Sequence, residues 1–456
     1  MLVNKNDELI IEIEDIGSEG EGIGKFQGYT LFVKNALPGD TVKVKAMKCK
    51  KNYGYARLLE VIEASPHRIG PRCSIAGKCG GCSLQHFNYE RQLEYKQNKV
   101  KNCLERIGGF KGEITLEPII GMDEPYYYRN KAQFPVGRNK DGKVLIGFYA
   151  GGTHSIIDTS HCHIQTKETD KIIEILRNFL EEYRISIYDE ENHEGLVRHL
   201  LTRVGFVTGE IMVCMVVNGS DLPHKEKMIA ELRKITGMAS ISLNVNTSKT
   251  NVILGDKVIN LWGQPFITDY IGDIKYQISP LSFYQVNPRQ TKILYETALN
   301  YADLHGDEVV WDLYCGIGTI SLFLAGRAKQ VYGVEIIPQA IEDAKRNAEI
   351  NHIMNAEFFV GAAEEVLPEK YKEAGIYADV IVVDPPRKGC EESLLDTIVR
   401  MAPKRVVYVS CDPATLARDL RYLSDRGYEV KKVQAVDQFP HSVHTESCVL
   451  LQRTEK

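Results

Sequence analysis

From Thr291 to the C-terminus, short apolar runs alternate with segments of helical length, in an order few architectures accommodate. The runs are Val309-Val310-Trp311-Asp312-Leu313, Val331-Tyr332-Gly333-Val334, Asp379-Val380-Ile381-Val382-Val383 and Arg405-Val406-Val407-Tyr408-Val409. Such a βα rhythm predicts a parallel sheet covered by helices on both faces. Ligands of open α/β sheets bind at the carboxyl edge, so the residues that follow each run are the first candidates for function. The whole chain has 456 residues, too many for one ordinary core, and two or three domains are expected.

The front of the chain follows a different period. Residues 1–64 alternate apolar and polar positions in short runs separated by Gly-rich or Pro-Gly-Asp turns, which predicts a small OB-like β-barrel. Its stretch from Lys43 to Arg57 carries lysines, Arg57, Tyr53 and Tyr55 and no acidic residue, suited to phosphates and stacked bases or simply to a solvated strand. Residues 65–270 are expected to form a central mixed domain and 271–456 the α/β domain. Within the central part, a helix is predicted over Tyr89 to Ile107, and the helical segment of about 89–118 is a candidate to pack on the α/β domain.

Composition narrows the class. With 43% hydrophobic and 26% charged residues, no apolar run long enough to span a bilayer and no secretory-type opening, the chain is expected in the cytoplasm, away from membranes. Eleven cysteines, an odd number, argue for reduced thiols rather than a closed disulfide framework. A net charge of -5 gives no global attraction to nucleic acid, so any RNA contact must come from local basic patches. Two further segments combine aromatic and basic residues, Tyr126-Tyr127-Tyr128-Arg129-Asn130-Lys131 and Arg198-His199-Leu200-Leu201-Thr202-Arg203. They suit unpaired bases, with a core tyrosine cluster as the alternative for the first.

The first run of the α/β part leads into Tyr314-Cys315-Gly316-Ile317-Gly318-Thr319, a turn whose glycines allow close backbone approach to a ligand. The second run ends in Glu335, placed to take both hydroxyls of a ribose. The turn lacks the third glycine of the dinucleotide fingerprint and the Lys-Ser/Thr of a phosphate loop, so a pyrophosphate ligand is disfavoured. The next two runs end in Asp384-Pro385-Pro386-Arg387-Lys388-Gly389 and Ser410-Cys411-Asp412-Pro413. A strand near Tyr428 to Val436 and a last strand from Ser447 should pair antiparallel, which brings Glu446 to the same rim as Asp384 and Cys411.

The motifs DLYCGIGT, DPPRKG, SCDP and HTES, in this order, resemble the RNA uracil-5-methyltransferase family, specifically its ribosomal-RNA branch. The resemblance implies a class I, Rossmann-like methyltransferase sheet, an N-terminal TRAM barrel, S-adenosylmethionine as cofactor and RNA, foremost ribosomal RNA, as substrate of a monomeric enzyme. It implies Cys411 as nucleophile, Glu446 as base, and Gln285, Tyr314, Glu335 and Asp384 as cofactor contacts, with Asp312, Gly316 and Gly318 from the same motif. The chemistry needs these residue types. Carbon-5 of uracil is a poor nucleophile until a thiolate adds to carbon-6, and the carbon-5 proton must afterwards go to a base. The thiolate is expected to gain from the helix start at Pro413.

Cys73, Cys79 and Cys82, spaced x5 and x2, with Cys162 far downstream, supply the four thiolates of a 4Fe-4S cluster or a structural zinc. The resemblance implies the cluster and assigns Cys162 as its fourth ligand. Radical S-adenosylmethionine enzymes are disfavoured by their x3-x2 cysteine spacing, and amino-group methyltransferases by Arg387 after the prolines. Transfer RNA as substrate, or a non-catalytic assembly role, are the remaining alternatives.

Overall fold

Strands Glu8–Ile16, Gly22–Phe26, Tyr29–Val33, Thr41–Cys49 and Tyr53–Glu63 close into a barrel in the computed structural model, which describes residues 3–112 and 114–454. The period-two pattern dictates which side chains turn inward. Tyr29, Leu31 and Val33 alternate with half-buried neighbours, and together with Val42, Val44 and Ala46 they fill the barrel.

A seven-stranded central sheet follows, in the order Lys257–Gly263, Met238–Val245, Ile211–Val217, Val197–Val204, Lys131–Arg138, Val144–Tyr149, Ile156–Asp158. Helix Glu168–Glu182 buries Ile172, Ile173, Leu176 and Phe179 in the core of this sheet. Arg198, His199 and Arg203 of its middle strand are buried too, and Arg198 donates to the carbonyls of Asn246 and Ser248. They are therefore core residues, not an RNA grip. Tyr126 and Tyr128 likewise lie in the interior, where Tyr126 packs on His441 and the Tyr128 hydroxyl donates to the Pro440 carbonyl.

The C-terminal sheet has eight strands, ordered Ala356–Val360, Gln330–Glu335, Val309–Leu313, Val380–Val383, Arg405–Ser410, Glu446–Arg453, Tyr428–Val436, Thr115–Ile120. The first five run parallel, and Glu446–Arg453 is antiparallel to both of its neighbours. Gly333 lets this sheet pack: a Cβ there would lie 2.5 Å from the ring of Phe358. The eighth strand comes from far up the chain and lies parallel to Tyr428–Val436. Helix Tyr89–Arg106, started by the Asn88 side chain accepting the Arg91 N–H, sends Val100 and Leu104 into the same core as Leu416, Leu420 and Val433. Among the described residues no helix is long and apolar enough to cross a membrane.

Candidate active site

The carboxyl ends of the parallel strands open into a cavity of about 620 Å³. Gln285, Tyr314, Gly316, Glu335, Asp384, Cys411 and Glu446 all line it. Two other expected residues stand behind its wall. Asp312 is fully buried and accepts the Ser321 hydroxyl at 2.5 Å. Gly318, at φ 81°, begins helix Thr319–Ala325, where a Cβ would press to 3.2 Å on both Ala344 and Phe358. Both therefore shape the turn from outside the cavity.

The turn is strained where it faces the cavity. Tyr314 sits at φ 68° and Gly316 at φ 55°, the left-handed region that costs a non-glycine residue free energy and recurs at binding sites. The Glu335 carboxylate ties the second strand to it, accepting the N–H groups of Gly316 at 3.3 Å and Ile337 at 3.1 Å. Gln285 comes from the segment before helix Pro288–Ala302 and is held through its carbonyl by the Asn130 amide at 3.0 Å.

Cys411 and Glu446 meet because of strand register. Ser410 pairs with Ser447 across the antiparallel ladder, which brings their chain neighbours Cys411 and Glu446 to the same end of the pair, close enough for Glu446 to act on the thiol. Burial and then Asp384 raise the Glu446 carboxyl well above the usual range, opposed by Arg387. Burial also raises Asp384. The Cys411 thiol is pushed up to about 11 by burial, then by Glu446 and Asp384, against Arg387. This differs from the expected helix-start stabilisation: burial outweighs it, and the cap residue works against it as well. The N-terminus of helix Pro413–Ser424 is capped by the Asp412 carboxylate, which accepts the N–H groups of Ala414 and Thr415 and adds a negative charge next to the thiol.

The sequence reading did not single out Phe283, Phe439 and His444, which also line the cavity. Phe283 is 69% exposed, an unusual position for a large apolar ring, and that exposure is invisible in one dimension. Burial, then Arg387 and Lys99, push His444 down to about 4, which leaves it neutral near pH 7.

A second cavity, about 340 Å³, lies between the cysteine segment and the central sheet, and Cys73, Cys79, Cys82 and Cys162 all line it. The Gly80 N–H docks the segment on the Tyr149 carbonyl at 3.0 Å. Burial pushes Cys82 up to about 12, with Cys162, Cys79 and Cys73 adding to it, and burial pushes Cys162 up to about 11. Arg129 and Lys131 stand at the same wall, and burial with Arg203 and Arg129 lowers the Lys131 amine to about 7. Among the described residues no group of three or more His, Cys, Asp or Glu side chains is arranged to hold a metal ion.

Residues 88–454 match the family described as tRNA (Uracil-5-)-methyltransferase, and residues 3–59 match the TRAM domain. The chain belongs to the tRNA (uracil-5-)-methyltransferase family. It is 55% identical over 451 residues to an uncharacterized RNA methyltransferase of Halalkalibacterium halodurans, covering 99% of this chain and 98% of that one. A similarly described protein of Clostridium tetani is 52% identical over 450 residues, covering 98% and 97%. The crystal structure of Pyrococcus abyssi tRNA (uracil-54, C5)-methyltransferase with S-adenosyl-L-homocysteine superimposes with a TM-score of 0.79 at 32% identity, covering 97% of this chain and 100% of that one. As an RNA (uracil-5-)-methyltransferase, this protein transfers a methyl group from S-adenosylmethionine to carbon-5 of uracil in RNA.

Proposed function

We propose that Cys411 is the nucleophile and Glu446 the base of this methyl transfer. The Cys411 thiol first gives its proton to solvent, the thiolate sulfur bonds to carbon-6 of the uracil, and the displaced π electrons make carbon-5 an enolate carbon. Carbon-5 then takes the methyl group from the sulfonium, whose electron pair stays on S-adenosylhomocysteine. Glu446 removes the carbon-5 proton, the C–H pair restores the C5–C6 double bond, and the thiolate leaves. The observation that carries this reading is one cavity shared by Cys411, Glu446 and the glycine turn with Glu335. Glu335 holds the ribose hydroxyls, Gln285, Tyr314, Gly316 and Asp384 make further cofactor contacts, and Asp312 and Gly318 support the turn from behind.

We assign a 4Fe-4S cluster to Cys73, Cys79, Cys82 and Cys162, a reading supported by their shared place in the lining of the second cavity. A cubane is wider than a single ion and takes thiolates from further apart, and Arg129 offsets negative charge there. When bound, the cluster cross-links the cysteine segment to the central sheet. Methyl transfer itself is redox-neutral and draws no electron from it.

The RNA is ribosomal in this reading, and the enzyme acts as a cytoplasmic monomer. The barrel supplies part of the RNA surface: Phe32 lies 5.6 Å from Tyr55 and 5.8 Å from Tyr53, and Lys50 caps the Tyr53 ring at 5.0 Å. Transfer RNA is the second reading, favoured by the likeness over nearly the whole chain to a tRNA (uracil-54, C5)-methyltransferase.

Two measurements test these readings. On a denaturing gel with labelled RNA and cofactor, Glu446→Gln should hold a methyl-labelled covalent band, whereas Cys411→Ala should hold none and make no 5-methyluridine. Normal product formation by Cys411→Ala would overturn the mechanism. Mass-spectrometric mapping of 5-methyluridine in RNA from a deletion strain assigns the target: loss from ribosomal RNA is expected, and loss from transfer RNA alone selects the second reading.

A further inference from the structure

Residues 437–445 connect the last two strands and deliver Glu446 to the cavity without regular secondary structure of their own. Most of them are nevertheless buried: Asn287, Gln290 and Thr291, at the start of helix Pro288–Ala302, bind Asp437 and Gln438, and a second set of partners lies on a helix and a segment more than 300 positions earlier. The Asp437 carboxylate pairs with the Lys96 ammonium, both side chains 0% exposed. It also accepts the Tyr89 hydroxyl at 2.8 Å. The same ammonium donates to the Phe439 carbonyl at 2.9 Å.

His441 forms the second point of attachment. It adopts φ 66°, a left-handed conformation a histidine holds only when its surroundings fix it. Its N–H donates to Gln92 Oε1 at 3.0 Å, and its carbonyl accepts the N–H groups of Ser83 and Leu84 at 3.0 and 2.9 Å, directly after Cys82. Tyr89, Gln92 and Lys96 follow one another at helical spacing on one face of helix Tyr89–Arg106. The three side chains therefore present a single polar face to the loop.

A buried ion pair is a costly way to join a helix to a loop. Desolvation costs several kcal/mol per ion, and well-packed apolar side chains often do as well or better for stability. What a fully hydrogen-bonded pair adds is a single arrangement, since any shift of the loop leaves a buried charge unmatched. None of these five residues lines the active-site cavity, so their influence on the reaction passes through the loop.

We propose that Tyr89, Gln92 and Lys96, gripping Asp437 and His441, are positioning residues for proton removal, holding the 437–445 loop so that Glu446 reaches the carbon-5 proton. The inference rests on Glu446 as the base. Phe439 and His444 of the same loop also line the cavity, so the earlier steps slow as well, but the largest defect falls on proton removal and the methylated covalent complex accumulates. Displacing a reacting group by an ångström costs up to about 100-fold, so elimination should slow by about 10- to 100-fold in Asp437→Asn and by less in Tyr89→Phe.

The test uses the full-length protein with labelled RNA and S-adenosylmethionine on a denaturing gel, with Glu446→Gln as the reference. Both variants are expected to accumulate the methyl-labelled covalent band while their calorimetric affinity for S-adenosylhomocysteine stays unchanged. Should Asp437→Asn fail to fold, Tyr89→Phe, which lacks one hydroxyl, carries the test. If Glu446→Gln accumulates the band and these variants are slow without it, the positioning role is wrong and the base assignment stands. If Glu446→Gln shows no band, the base assignment fails and this inference with it.

Discussion

A single side chain carries the most testable consequence of the site. Cys411 must react as a thiolate, yet burial, Glu446 and Asp384 push its thiol up to about 11. The anionic fraction of the free protein at neutral pH is therefore smaller than for an ordinary cysteine, and it continues to rise up to about pH 11. Alkylation of Cys411 by iodoacetamide, followed by peptide mapping, should be slow at pH 7 and keep accelerating beyond pH 9. A plateau below pH 9 would contradict the environment described here. Cys411 itself was legible in the sequence, because a residue that follows an apolar run must lie at the carboxyl edge. The suppression of its ionisation was not. It depends first on burial, then on Glu446 and Asp384 brought up by other strands, with Asp412 at the helix start adding the least.

Elements were legible in proportion to how local their signals are. The parallel strands, the glycine turn and the antiparallel pair at the end follow from period, turn residues and connection length, and the observed strand Tyr428–Val436 has the expected bounds. The segment expected to be helical to about residue 118 ends its helix at Arg106 and forms strand Thr115–Ile120 of the C-terminal sheet, because its Leu-Glu-Pro-Ile-Ile has no helical or clean strand period and its partner is distant in sequence. Within the sheet, Gly333 makes a prediction of its own. A Cβ at 2.5 Å from Phe358 and 3.0 Å from the Cys315 sulfur cannot be accommodated without movement. Overpacking of this kind costs about 1–3 kcal/mol, so Gly333→Ala should lower the thermal unfolding midpoint measurably, and an unchanged midpoint would show that strand Gln330–Glu335 yields more easily than its packing implies.

At the scale of the whole molecule, segments far apart in sequence converge on the two cavities. If the four cysteines hold a cubane, protein purified without oxygen should be brown and contain about four iron atoms per chain, and Cys79→Ser should lose both colour and iron; stoichiometric zinc without iron would refute the cluster. The distance between converging segments also sets a schedule for the chain's synthesis. Thr115–Ile120 leaves the ribosome roughly 300 residues before Tyr428–Val436, a wait of about 15–60 s at ~5–20 residues per second. During that interval the segment is an unpaired strand in a crowded cell, open to pairing with the wrong partner. Pro118, in its middle, has no N–H to offer, while its carbonyl later accepts the Gln434 amide at 2.7 Å. A nascent neighbour that tried to extend this strand would meet a gap in the ladder, whereas the partner made last brings the side chain that fits it.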